Sequence, residues 1–196
     1  MDNINIYSEI LKNKYGINFS RDLINKFAAV SSEITLKKND VLIRIGDKNS
    51  DIFFVVFGIL RDYYIDDDGN DITRFFSCEG GICGGESLIS KEPSAVCTEA
   101  LEDCILLRCP VSDFTKIIAS SSEATKAYIW LLESSLAYKI HRENSFLIKS
   151  AAERYIDFKR ENPDLEKRVN QKYIASYLGI TPVSLSRIRR TLKELN

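Results

Sequence analysis

The stretch Gln171-Lys-Tyr-Ile-Ala-Ser-Tyr-Leu-Gly-Ile-Thr-Pro-Val-Ser-Leu-Ser-Arg-Ile-Arg-Arg190 holds two helix signals separated by a turn signal. Ile174 and Leu178 are apolar at i, i+4, and Ala175 is small where a second helix must cross closely. Gly179 stands where the chain has to pass through positive φ, and Ile180 plugs the corner. Thr181 then reads as an N-cap with Pro182 at the first helical position, and Leu185 and Ile188 face back to the core. Together these residues spell a helix-turn-helix. The second helix carries Arg187, Arg189 and Arg190, with Ser184 and Ser186 beside them. A helical hairpin with a solvated basic face is the plain alternative; helices that only pack have no need of those arginines. If the second helix enters a major groove, Pro182, Val183, Ser186 and Arg187 face base edges. Arg187 then suits a two-pronged contact to guanine, worth about 1–3 kcal/mol of discrimination. Thr181, Ser184, Lys172 and Arg190 are placed to hold phosphates and set register.

Charge is segregated in the same sense. Residues 147–196 contain 11 Lys/Arg against 6 Asp/Glu, a net of +5, whereas residues 1–146 contain 16 against 22, a net of −6. A basic segment on an acidic body is the footprint of a chain that meets a polyanion.

N-terminal to the basic segment, Ile129, Leu132, Leu136, Ile140, Glu143 and Leu147 step by three or four. They predict a helix from near Ser122 of about 25 residues. The stripe packs against the chain's own strands or forms a seam with a second copy, and Glu143 is a defect in either case. Residues 147–161 predict one further helix, and Asn162-Pro163-Asp164 a turn. Before the long helix, from Ile34 to Leu107, the apolar period becomes that of strands. Val41, Ile43 and Ile45 alternate with polar residues, and Ile52 to Phe57 is aromatic and β-branched. Asp68-Gly69-Asn70 joins Tyr63–Ile65 to Ile72–Phe76 as a hairpin. About eight short strands in a closed antiparallel body are expected, preceded by thirty helical residues broken at Gly16. The expected division is a β-body with flanking helices over 1–121, a long helix over 122–146 and a helix-turn-helix domain over 147–196.

With 196 residues, 44% hydrophobic and 28% charged, the chain suits a globular protein of one or two domains. Its longest apolar run, Ile52–Leu60, is far short of the roughly 18–20 residues of a spanning helix. The N-terminus shows no export signal, so a cytoplasmic location is expected. Five cysteines at irregular gaps suit reduced thiols rather than a disulfide framework. The single histidine, His141, excludes most His-cluster chemistry. No paired carboxylates, phosphate loop or metal-ligand motif points to an enzyme.

Taken with these motifs, the chain resembles the Crp/Fnr superfamily of transcription regulators, and within it the compact subgroup common in Bacteroidetes. Asp40-Val-Leu-Ile-Arg-Ile-Gly-Asp47 through Ile52–Arg61 is similar to the opening of the family's cyclic-nucleotide-binding β-roll, and Gln171–Arg190 to its DNA-reading motif. The resemblance implies an α+β fold: an N-terminal antiparallel β-roll (double-stranded β-helix) with flanking helices, a long dimerisation helix and a C-terminal helix-turn-helix domain. It implies a homodimer joined through Ile129, Leu132, Leu136 and Ile140, double-stranded DNA with a near-palindromic operator as partner, and RNA polymerase as a further one. The hairpin that follows the recognition helix in larger members has no counterpart before Asn196.

The effector residues carried over are Gly85, Glu86, Ser87, Ser94 and Ala95. Gly85-Glu86 matches the family's ribose-contacting pair. Ser94-Ala95 falls where the family has the Arg-Ser pair that grips the cyclic phosphate. Without that arginine, binding of cAMP weakens by about one to two decades, so cAMP is not the expected effector. The Gly80-Gly81 and Gly84-Gly85 pairs read as loop flexibility. An iron–sulfur cluster is not expected, because the first cysteine is Cys78, nor a haem, because His141 lies on the long helix. The competing reading is a cytosolic small-molecule-binding module whose basic C-terminal domain contacts a protein partner.

Overall fold

The structure is a computed structural model that describes residues 3–90 and 92–194. Two helices, α1 (Asn3–Tyr15) and α2 (Arg21–Val30), precede eight strands. The strands are β1 (Ser32–Leu36), β2 (Val41–Ile43), β3 (Asp51–Phe57), β4 (Leu60–Ile65), β5 (Asp71–Ser77), β6 (Ile82–Cys83), β7 (Cys97–Ala100) and β8 (Cys104–Pro110). Six helices follow: α3 (Val111–Ser120), α4 (Ser122–Ile148), α5 (Ala151–Glu161), α6 (Leu165–Arg168), α7 (Gln171–Tyr177) and α8 (Pro182–Glu194). The strands form two four-stranded sheets, β1-β8-β3-β6 and β2-β7-β4-β5. Their non-sequential order is that of a roll.

The chain divides into two compact units, Met1–Tyr64 with Phe75–Trp130, and Ile65–Arg74 with Leu131–Asn196. The long helix and the β4–β5 hairpin therefore each contribute to both.

In the first unit, β3 explains why its sequence is apolar without alternation. Ile52, Phe54 and Val56 join Ile4, Tyr7, Leu11, Leu107 and Phe114 in a core under the flanking helices. Phe53 and Val55 join Ile43, Leu60, Cys83, Ala100, Cys104 and Leu106 inside the roll. Successive side chains leave a strand on opposite faces, so a strand between two cores must be apolar throughout. Phe54 anchors the outer core, its ring 5.4 Å from Tyr7 and 6.0 Å from Phe114. The start of α4 is tied to α2, where Ser20 caps the helix and donates from its N–H and hydroxyl to Glu123, both at 2.6 Å.

In the second unit, α4 ends at Ile148 and α5 starts at Ala151, so the helix expected over 147–161 is broken near its start. Ser150 causes the break. Its hydroxyl accepts from Glu153 N–H while the Glu153 carboxylate takes the Ser150 N–H, a capping box that begins a new helix. Tyr155, Phe158, Leu165, Val169, Ile174, Ala175, Leu178 and Leu185 are all buried and form the core of the helical head.

Ile45 departs from expectation: β2 stops at Ile43, and Ile45 is exposed beside the Gly46 turn. The Gly84 position is tight rather than loose. A Cβ there would stand 2.8 Å from both Asn49 Nδ2 and the Asp51 carbonyl, and the residue has a φ of 79°.

All five cysteines are reduced, and Cys83, Cys97, Cys104 and Cys109 are buried. Burial pushes the Cys104 and Cys109 thiols up to about 11. Thiol titration of the native protein at pH 8 is expected to show one fast-reacting group, Cys78, and four that react only on unfolding. Two or more fast groups would contradict this packing.

Candidate nucleic-acid interface and ligand pocket

The corner between α7 and α8 is built by backbone chemistry. Asn170 caps α7, accepting from Lys172 N–H at 3.0 Å. At the other end Gly179 adopts a φ of 67°, Ile180 N–H donates to the Ala175 carbonyl, and Gly179 N–H donates to the Ser176 carbonyl. This Schellman arrangement reverses the chain. Thr181 Oγ1 accepts from Ser184 N–H at 3.1 Å and starts α8. Leu185 is fully buried, and Ile188 half-buried, on the inner side.

The opposite side of α8 is open. Thr181, Pro182, Val183, Ser186, Arg187 and Arg190 are exposed, Ser184 is half-buried, and Lys172 is exposed on α7 with its ammonium 4.6 Å from the Tyr173 ring centroid. Apart from Lys172, near the start of α7, the residues marked as contacts by the sequence lie at the corner and along α8. Thr181 and Ser184 are partly engaged, because their hydroxyls also bond each other at 3.0 Å. Arg189 does not belong with Arg187 and Arg190. It turns inward to Glu166 at 3.2 Å, in a cluster where Tyr155 also donates to Glu166. Desolvation and that carboxylate push the Tyr155 hydroxyl up to about 12.

Along α4, Ile129, Leu132, Leu136 and Ile140 are between 37% and 59% exposed. The half-buried residues of its second-unit part are Leu131, Ser134, Tyr138, Arg142 and Ser145, nearly opposite the stripe at 100° per residue. Sequence reading missed this inward face, because its residues other than Leu131 are polar or aromatic and carry no apolar period. His141 lies 3.5 Å from Glu161 on the same half of the helix.

Inside the roll a cleft of about 400 Å³, counted out to its mouth, is lined by Ile43, Val96 and Pro93 together with Asp47, Asp62, Glu86 and Glu92. Gly84 and Ser94 also reach it; Gly85 begins a short 3₁₀ turn beside it, and the Ser87 side chain lies outside the described residues. Ala95 precedes the lining residue Val96. Asp62 is fixed by Thr98, whose hydroxyl donates at 2.7 Å. Among the described lining residues no side chain is basic. Arg61, 1% exposed, neighbours Asp62 on β4 but takes the other side of that sheet, bonded at 2.7 Å to Glu99 and stacked on Tyr63. Strand alternation keeps it out of the cleft.

These features define a β-roll followed in the chain by a helix-turn-helix head. Residues 33–121 match the cyclic nucleotide-binding domain family, and that part of the chain is such a domain. The chain shares the Crp/Fnr fold. It superposes on FixK2 from Bradyrhizobium japonicum with a TM-score of 0.74 at 20% identity, covering 85% of this chain and 86% of that one. On the c-di-GMP-responsive regulator CLP of Xanthomonas campestris the TM-score is 0.68 at 16% identity, covering 89% and 92%. On a Crp/Fnr-family chain from Eubacterium rectale it is 0.69 at 18% identity, covering 93% and 86%. A curated relative, patatin-like phospholipase domain-containing protein 6 of Pongo abelii, is 30% identical over 83 residues, which are 42% of this chain and 6% of that protein. No helix among the described residues is long and apolar enough to cross a membrane, and no cluster of His, Cys, Asp and Glu among them is arranged to hold a metal ion.

Gly179 is the position where the corner tolerates least. An alanine Cβ would stand 2.8 Å from the Phe146 ring in a backbone conformation that favours glycine. Gly179→Ala is expected to destabilise the protein by about 1–2 kcal/mol, measured by urea unfolding. An unchanged midpoint would show that the turn is not held as described.

Proposed function

We propose that the protein is a homodimeric, sequence-specific DNA-binding transcription regulator, with the sensor in residues 1–121, the pairing helix in 122–146 and the reading head in 147–196. The observation that carries this is the open face of α8. Arg187 and Arg190 are exposed on the helix that follows a Schellman turn, while Arg189, two positions after Arg187 and adjacent to Arg190, is tied to Glu166. Arg187, Pro182, Val183 and Ser186 read base edges; Lys172, Thr181, Ser184 and Arg190 hold phosphates. The net charge of +5 over residues 147–196 supplies the sequence-independent attraction. The exposed stripe Ile129, Leu132, Leu136 and Ile140 supports pairing of two copies, which sets two heads on half-sites about 34 Å apart.

Duplexes selected by the protein from a random pool are expected to be near-palindromic. Arg187→Ala is expected to relax preference at one base pair per half-site, at a cost of about 1–3 kcal/mol. Gel-shift titration at physiological salt measures both. Binding indifferent to sequence would remove the reading.

The cleft in the roll is the sensor site, and its chemistry disfavours a cyclic phosphate. Asp47, Asp62, Glu86 and Glu92 line it, no lining side chain among the described residues is basic, and Ser94 supplies only a hydroxyl, which donates to the Val96 carbonyl at 2.9 Å. The proposed effector is therefore not cAMP. A ligand at a hundred times its Kd stabilises a fold by about 2.7 kcal/mol, so micromolar binding is easily seen as a thermal shift. No shift is expected with cAMP at micromolar concentration; a clear rise in Tm there would contradict the assignment.

A further inference from the structure

The last carbonyls of α7 pose an accounting problem whose solution assigns work to residues outside the DNA-reading face. A helix leaves its final carbonyls without intrahelical donors. In α7 the Ile174 carbonyl accepts from Leu178 N–H, the Ala175 carbonyl from Ile180 N–H and the Ser176 carbonyl from Gly179 N–H. The Tyr177 and Leu178 carbonyls come next. Each takes a guanidinium from another helix of the same unit. Arg142 Nη2 on α4 donates to the Tyr177 carbonyl at 2.9 Å, and Arg154 Nε on α5 donates to the Leu178 carbonyl at 3.1 Å. Arg154 also donates from Nη1 to the Lys149 carbonyl at 2.8 Å, where α4 ends.

The two arginines are themselves held in place. The Phe146 ring lies 4.9 Å from each guanidinium carbon, and Arg142 stacks 4.0 Å from the Tyr177 centroid. Tyr177 in turn packs 5.5 Å from Phe158, and its hydroxyl bonds Tyr138 at 3.0 Å. Burial raises the Tyr138 pKa above the ordinary tyrosine value, so the Tyr138 hydroxyl keeps its proton. Tyr138, Arg142 and Phe146 recur at intervals of four on α4. The first two lie on its inward face, and Phe146 touches the place where Gly179 has no side chain. The corner that aims α8 is thus gripped from α4 by Phe146 and Arg142, and from α5 by Arg154.

We infer that Arg142 and Arg154 are positioning residues for DNA reading: they make no contact with the duplex but fix the angle at which α8 is presented. The inference rests on the DNA-reading role of α8. Both guanidiniums are spent on protein carbonyls and aromatic faces, so neither contributes a phosphate contact. Cations at the C-terminal end of α7 also oppose the partial negative charge there. A lysine would keep the charge but lose the planar fork that stacks and donates together.

The test compares full-length wild type with Arg142→Ala, Arg154→Ala and the milder Arg142→Lys. The first readout needs no DNA. Amide hydrogen exchange at Gly179 and Ile180 is expected to speed up by about tenfold or more in the alanine variants, with exchange at Ile174 and Leu185 little changed. The second uses the wild-type-selected duplex and a shuffled duplex of equal length. Affinity for the selected duplex is expected to fall by about tenfold, with affinity for the shuffled duplex within about twofold and the slope of log K against log salt unchanged. Arg142→Lys is expected to lose discrimination in the same direction despite keeping its charge. Unchanged exchange at the turn would overturn the inference. So would equal losses on both duplexes, or a salt slope reduced by about one per arginine, which marks a phosphate contact. If wild type selects no duplex, the DNA-reading role fails by itself, and the exchange measurement still decides whether the arginines hold the corner.

Discussion

The left-handed turn at Gly179 is the constraint around which the helical head is organised. A chain that reverses within four residues must pass through positive φ, must leave carbonyls exposed at the end of the first helix, and must keep the corner free of side chains. Each requirement recruits specific residues. Gly179 supplies the conformation, Ala175 and Ser176 receive the reversed amides, and Arg142 and Arg154 take the two carbonyls left over. Phe146 occupies the space that glycine vacates. The long helix is part of the corner for this reason, and its exposed stripe faces nearly the other way. One helix can therefore leave an apolar stripe exposed and hold the helical head at once, since the two features use different sides.

Electrostatics divides the chain along similar lines. The roll buries one arginine, Arg61, and neutralises it with Glu99 on the side of the sheet away from the cleft. The cleft receives Asp62, Glu86, Asp47 and Glu92. A cyclic phosphate entering it would surrender hydration and meet carboxylates, and Ser94 offers at best one neutral hydrogen bond in return. The basic residues are concentrated in the head, where Glu166 restrains Arg189 and Asp157 bonds Lys149 at 2.6 Å. That bond holds the Asp157 carboxyl below its ordinary value. Lys172, Arg187 and Arg190 stay exposed, as do Lys159, Arg160, Lys167, Arg168 and Lys193, whereas Lys149, Arg154 and Arg189 are half-buried.

The local features were legible in the sequence because their causes are local. Gly179, Thr181 and Pro182 carry turn and capping chemistry in their own side chains, and the helix-turn-helix followed from them; the 68–70 hairpin and the strand body did so for the same reason. Features set by distant partners were not legible. Arg189 looks identical to Arg187 and Arg190 until Glu166 arrives from another helix. The break at Ser150 was hidden, although Ser150 and Glu153 stand at capping-box spacing, because apolar residues continue across it. The inward face of α4 was hidden because Ser134, Tyr138, Arg142 and Ser145 have no shared hydropathy. The glycines at 80 and 84 read as looseness, but the chain packs against them: a Cβ on Gly80 would stand 3.0 Å from Ile10 on α1.

A basic face alone does not distinguish a duplex from an acidic protein, since either would be drawn to a net positive head. The two partners differ in what they ask of geometry. A protein surface can repack around a helix whose angle drifts, whereas a groove of fixed width and pitch admits a recognition helix only within a narrow range of tilt. The head is built to restrict tilt: two guanidinium–carbonyl bonds, an aromatic wedge and a tyrosine pair all converge on one turn. Arginines that could have enlarged the basic surface are spent on this instead. Holding α8 at a set angle at the expense of positive surface is sensible for reading a duplex and has no evident use for general attraction to anions.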